Sequence, residues 1–122
     1  MLTSDDFRLR NGDEIVGYRR EIGNYTLFSK SLYFWNGSPI EFLQQDKCTG
    51  YKDRNDKWLF EKDIITSTDH PSKSYIITYD SLLTKFLLVD YFEGLIFDHS
   101  VEDFLADKRK IRWVTYEFIN SI

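Results

Sequence analysis

Two histidines, one cysteine and several paired carboxylates are the side chains of this 122-residue chain whose types allow chemistry. Asp69-His70 and Asp98-His99 each set a carboxylate beside an imidazole, the components of a general base. Neighbouring side chains on a strand point to opposite faces, and both pairs lie near turn signals, so solvated polar residues are the simpler reading. Cys48 follows Lys47 and has no histidine close in sequence, which predicts a small buried thiol rather than a nucleophile. Asp98, Glu102 and Asp103 carry the oxygens that Mg²⁺ or Ca²⁺ would take, yet Asp103 is better placed as an acid in the first turn of a helix. One cysteine excludes an intrachain disulfide and, with two histidines, leaves no set for structural zinc. The chain has no Gly-rich phosphate loop, no Ser/His/Asp order and no His/Glu zinc helix. No catalytic residue, cofactor or metal is therefore expected, and the chain reads as a non-enzyme.

Charge sets the next limits. The net charge is −4 and the pI about 5.1, which argues against a nonspecific nucleic-acid binder. The alternative reading uses the bases Arg19, Arg20, Lys108, Arg109, Lys110 and Arg112, interleaved with aromatics such as Tyr18, Tyr33, Phe34, Trp35 and Trp113, to clamp a single strand. The leading reading uses the opposite charge. From Asp80 to Asp107 seven acids stand against the single base Lys85, and Asp98, Glu102 and Asp103 are the candidate partner-binding residues there. The first residues carry acids early and no apolar core, so no secretory leader is expected. The apolar stretch at Phe86-Leu87-Leu88-Val89 is far short of the roughly 20 residues a spanning helix needs, so no membrane is expected and the cytoplasm is the expected compartment.

The elements that must position these residues are strands. Ten Phe, eight Tyr and three Trp sit among β-branched residues in short period-two runs. Turn dipeptides at Asn11-Gly12, Gly23-Asn24, Asn36-Gly37 and Asn55-Asp56 divide the runs. The pattern predicts strands at 14–20, 25–29, 32–35, 40–43, 58–60, 63–66, 74–79, 85–91, 94–97 and 112–118. One short helix is expected between Ser100 and Asp107, with Val101, Phe104 and Leu105 on its buried face. The expected core holds Phe7, Ile15, Val16, Leu27, Phe28, Phe42, Leu59, Phe60, Ile64, Ile76, Leu87, Val89, Ile96, Phe104, Leu105, Val114 and Phe118. The polar stretch from Thr66 to Ser74 reads as a mobile loop or a boundary between two halves of one domain spanning 1–122. The fold class is mainly β: a small, strongly bent antiparallel barrel or two packed sheets, with one short helix.

The segment Thr49-Gly50-Tyr51-Lys52-Asp53-Arg54-Asn55-Asp56-Lys57-Trp58-Leu59-Phe60-Glu61-Lys62-Asp63-Ile64-Ile65 resembles the signature of the YopX family of bacteriophage and prophage proteins. Gly50, Lys52, Asp53, Asn55, Glu61 and Asp63 keep the motif. Tyr51, Asp56 and Lys62 depart from it, the last two standing where the family has Gly. Weaker similarity extends over most of the chain. Physically, residues 53–56 predict a tight turn, and Lys62 a second bend at positive φ. A structural corner is the expected role of the motif. The resemblance implies a YopX-like domain encoded by a phage or prophage and acting in the host bacterial cytoplasm. The function expected is non-catalytic: binding a host or phage protein, with inhibition of a host defence system as one version. A homo-oligomer through exposed sheet edges is also expected.

Overall fold

A computed structural model describes residues 2–3, 5–94, 96 and 101–116. The chain forms β1 (Asp6–Asn11), β2 (Glu14–Ile22), β3 (Tyr25–Ser29), β4 (Gln44–Lys52), β5 (Trp58–Phe60), β6 (Asp63–Ser67), β7 (His70–Asp80), β8 (Lys85–Asp90), α1 (Val101–Leu105) and β9 (Ile111–Tyr116). The strands make two antiparallel sheets, ordered β3-β2-β1-β4-β5 and β8-β7-β6-β9. Of the two architectures expected, the structure has the packed sheets and not the barrel. The chain passes from one sheet to the other at Glu61-Lys62, where Lys62 takes φ 76°. Residues 66–74, expected as a loop, are instead paired strand: Thr66 lies opposite Ser74, and Ser67 opposite His70 across a tight turn.

The apolar core sits between the second sheet and α1. Leu59, Ile65, Ile77, Leu88, Val101, Leu105 and Ile111 are buried there. A smaller cluster, Leu2, Cys48 and Phe60, lies under the first sheet, with Leu32 and Trp35 packed on it. Several expected core residues face water: Ile15, Phe42, Ile96 and Val114 are exposed. Phe7, Val16, Leu27, Phe28, Leu87, Val89 and Phe104 are only half-buried. Phe118 and Ser100 lie outside the described residues.

Two expected strands, 32–35 and 40–43, are not strands. Both belong to the connection between β3 and β4. Leu32 takes φ 72°, which ends an extended run, and Pro39 offers no N–H to a ladder. Gly17 lets this connection lie against β2: a Cβ there would stand 2.6 Å from Ile40 Cδ1 and 2.9 Å from the Ser29 carbonyl. Two strands were not foreseen, β1 and β4. Their buried residues include the charged Arg8, Arg10 and Asp46 as well as Leu9 and Cys48, so the alternation of polar and apolar residues does not mark which face is interior. Of the expected strand 94–97 only Gly94 and Ile96 are described: Gly94 closes a turn onto the Asp90 carbonyl, and Ile96 forms an isolated bridge to Val89.

Candidate functional site

The 49–65 motif builds the corner between the sheets. Asp53 is buried and its Oδ1 accepts hydrogen bonds from the Asn55 and Lys57 N–H groups, both at 2.9 Å, closing the turn. Its Oδ2 accepts from the Trp113 N–H at 3.1 Å and so ties that turn to β9. Asp56 takes φ 61°. Thr49 Oγ1 donates to the Leu59 carbonyl at 2.8 Å. Gly50, at φ 82°, sits where β4 bulges, and Lys52 Nζ lies 4.6 Å from the centroid of the Trp58 ring. Glu61 Oε1 accepts from the Lys47 N–H at 2.9 Å, and Asp63 Oδ2 from the Phe60 N–H at 2.7 Å. Asn55 is exposed.

Asp63 also reaches across to the first sheet. Its Oδ1 accepts from Arg8 at 2.8 Å, and Arg8 binds Asp46 at 2.7 Å as well. Arg10 binds the same Asp46 at 2.5 Å. Burial disfavours the Arg8 charge, but Asp63 and Asp46 outweigh it and hold its pKa above the ordinary value. Burial pushes the Asp63 carboxyl up, against Arg8 and the Phe60 amide. Burial also pushes the neighbouring Cys48 thiol up to about 12, so at neutral pH it is a protonated core residue and not a nucleophile.

Arg19 and Arg20 point to opposite faces of β2. Arg20 pairs with Asp6 at 2.8 Å and stacks 4.1 Å from the Trp35 ring centroid. The other bases of the alternative reading lie on the second sheet, in a 3-10 turn (Lys108–Lys110) and β9. Each has a local partner: Lys108 pairs with Asp56, Arg109 with Asp107 and Lys110 with Asp69, while Arg112 Nε is 3.5 Å from Thr66 Oγ1. The hydrogen bond from Arg109 is the largest influence lowering the Asp107 pKa, and that from Lys108 the largest lowering Asp56. The fold thus does not assemble the six bases into one patch, and five of them, all but Arg112, are matched by acids. Of the acidic candidates, Glu102 and Asp103 are exposed on α1, and Asp98 lies outside the described residues with His99. His70 is exposed at the start of β7.

The surface that stands out carries two rings, Tyr33 and Phe34, that the sequence offers only as stacking aromatics of the single-strand reading. In the connection 30–43, Leu32 and Trp35 turn inward while Tyr33 and Phe34 are 85% and 80% exposed. The connection is pinned on both sides of these aromatics. Ser29 Oγ accepts from the Leu32 N–H at 2.8 Å, and Phe28 and Asn36 exchange backbone hydrogen bonds of 2.7 and 3.0 Å. At its far end the Leu43 N–H donates to the Arg10 carbonyl at 3.0 Å. Phe34 borders a cleft of about 460 Å³ that also takes in Phe28, Lys30, Pro39 and Ile40. The signal available in sequence was Tyr33-Phe34-Trp35 beside two prolyl and glycyl breakers, which reads equally as a core strand.

From Phe28 a row of alternating type crosses the first sheet. Phe28 stands opposite Arg19, Arg19 opposite Phe7, and Phe7 opposite Lys47. Directly opposed residues share a face. Arg19 lies 4.8 Å from the Phe7 ring centroid, and Lys47 Nζ lies 5.3 Å from Phe7 and 5.4 Å from Tyr79. Arg19 also pairs with Glu21 at 2.7 Å, and its Nε is buried without an acceptor among the described residues.

No family model matches the chain, and no curated protein or solved structure matches it. No helix among the described residues is long and apolar enough to cross a membrane.

Proposed function

We propose that this chain is a phage- or prophage-encoded accessory protein without catalytic activity that works by binding a host or phage protein, as an inhibitor or modulator of a host system. The phage context rests on the resemblance of the 49–65 motif. The binding role rests on one observation: Tyr33 and Phe34 stand out of a connection whose flanks are hydrogen-bonded and whose adjacent residues Leu32 and Trp35 are anchored in a core. Aromatic side chains held this way lose little entropy on binding and serve as the apolar centre of an interface, with charges such as Lys30 and Glu41 as its rim. Truncating interface anchors of this kind costs about 2 kcal/mol or more, roughly thirtyfold in affinity.

The test is a pull-down from bacterial lysate with the wild-type chain and a Tyr33→Ala/Phe34→Ala variant, each with and without nuclease. A stoichiometric protein retained by the wild type and lost by the variant is the expected result. A partner that is retained equally by both, or that disappears with nuclease, overturns the reading. Neutralising Glu102 and Asp103 in parallel separates the acidic helix from the aromatic connection as the contact.

A further inference from the structure

The two sheets do not close on each other along Lys47. Between β4 and the β7–β8 hairpin they leave a cleft of about 450 Å³, within the size range of small-molecule sites. Lys47 and Tyr51 line it from the first sheet, and Tyr79 and Lys85 from the second. Asp5, Phe86 and Glu102 also line it. The Lys47 ammonium is held between the Phe7 and Tyr79 rings, and among the described residues neither it nor Lys85 has a carboxylate within ion-pair distance. Lys108 and Lys110 elsewhere on the surface each have one. Two ammonium groups without a direct ion pair, in a cleft lined by phenol rings, fit a ligand that carries an anion and a flat ring. The Asp5 carboxylate at the rim fits one that also carries hydroxyl or amine donors.

We propose that this cleft binds a nucleotide, with its phosphate on Lys47 and Lys85 and its base against Tyr51 or Tyr79. The nucleotide is either free or the end of a single strand, because the row Phe7, Arg19 and Phe28 leads out of the cleft across the sheet and supplies further ring and cation positions. The site shares no residue with Tyr33 and Phe34, so it does not rest on the protein-binding reading.

Calorimetric titration of the full chain with each ribonucleoside monophosphate, the parent nucleosides and inorganic phosphate tests this. At least one monophosphate is expected to bind more tightly than about 1 mM. Its nucleoside and inorganic phosphate are expected to bind at least about tenfold more weakly, since each lacks half of the recognised chemistry. Lys47→Gln and, separately, Lys85→Gln are expected to weaken binding by about tenfold, and Lys110→Gln to leave it unchanged. Lys85 is exposed, so its variant keeps the fold, and a melting curve of each variant verifies this. An octathymidylate that binds about tenfold more tightly than thymidylate, and loses that gain in Arg19→Gln, assigns the site to a single strand. Equal affinity assigns it to the free nucleotide. The proposal is overturned if no monophosphate or oligonucleotide binds, if inorganic phosphate or polyglutamate binds as well as the nucleotide, or if both lysine variants bind like wild type.

Discussion

A guanidinium removed from water keeps its charge only where carboxylates replace the lost hydration, and Arg8 has two of them, Asp46 and Asp63. Arg8→Met removes the cation and leaves Asp63 buried beside Phe60 and Cys48. Breaking a buried pair in this way costs about 3–5 kcal/mol. The variant is expected to be destabilised by that amount at pH 7, measured by urea unfolding. Without Arg8, burial raises the Asp63 carboxyl further above its ordinary 3.8. A folded pKa above the unfolded one gives stability that is present at low pH and lost as the pH rises. The penalty of Arg8→Met is therefore expected to shrink as pH falls from 7 toward 4, and a penalty independent of pH would exclude Asp63 as its source. Nothing in the sequence around Arg8 announces this role. An arginine on an alternating strand reads as a solvent-facing residue, and only the opposed carboxylates of two other strands make it an interior one.

At the scale of elements, the turns were legible and some of the strands were not. Asp56 and Lys62 take the positive φ that their positions in the motif demand, because tight reversals force that geometry whatever the residue. A side chain at φ 76° costs about 1–2 kcal/mol relative to glycine. Lys62→Gly is expected to stabilise the chain by about 1 kcal/mol, read as an upward shift in the urea midpoint at unchanged slope. A loss of stability would mean that Lys62 contributes contacts outweighing its backbone strain. β3 and β5 match their sequence patterns residue for residue, since turn dipeptides or short apolar runs bound them. The stretch 32–35 misleads for the opposite reason. Its inward residues, Leu32 and Trp35, are three apart, and the aromatic run hides a connection that buries two side chains and displays two.

Across the whole molecule, the Arg8–Asp63 pair and the Asp53–Trp113 hydrogen bond join the two sheets at separate places. Leu59 of β5 also packs into the core of the second sheet, so the sheets share part of one interior. The expected consequence is one unfolding transition, with tryptophan fluorescence and far-ultraviolet circular dichroism giving the same midpoint. Two resolved midpoints would show that the sheets fold independently. Single contacts reach three of the edge strands: Asn36 bonds to β3, Ile96 bridges to β8, and the Arg54 N–H donates to the Ile111 carbonyl on β9 at 2.8 Å.

By itself the sequence determined the mainly β class, the turn positions, the short helix and the corner at Asp53 and Lys62. These follow from local backbone preferences and short-range periodicity, which neighbouring residues set. Only the tertiary structure decided that Arg8, Arg10, Asp46 and Asp63 are interior, that Tyr33 and Phe34 face outward, and that Lys47 and Lys85 share a cleft. Those outcomes depend on which strands become neighbours across dozens of residues, and a charge or a ring is buried or displayed according to what lies opposite it.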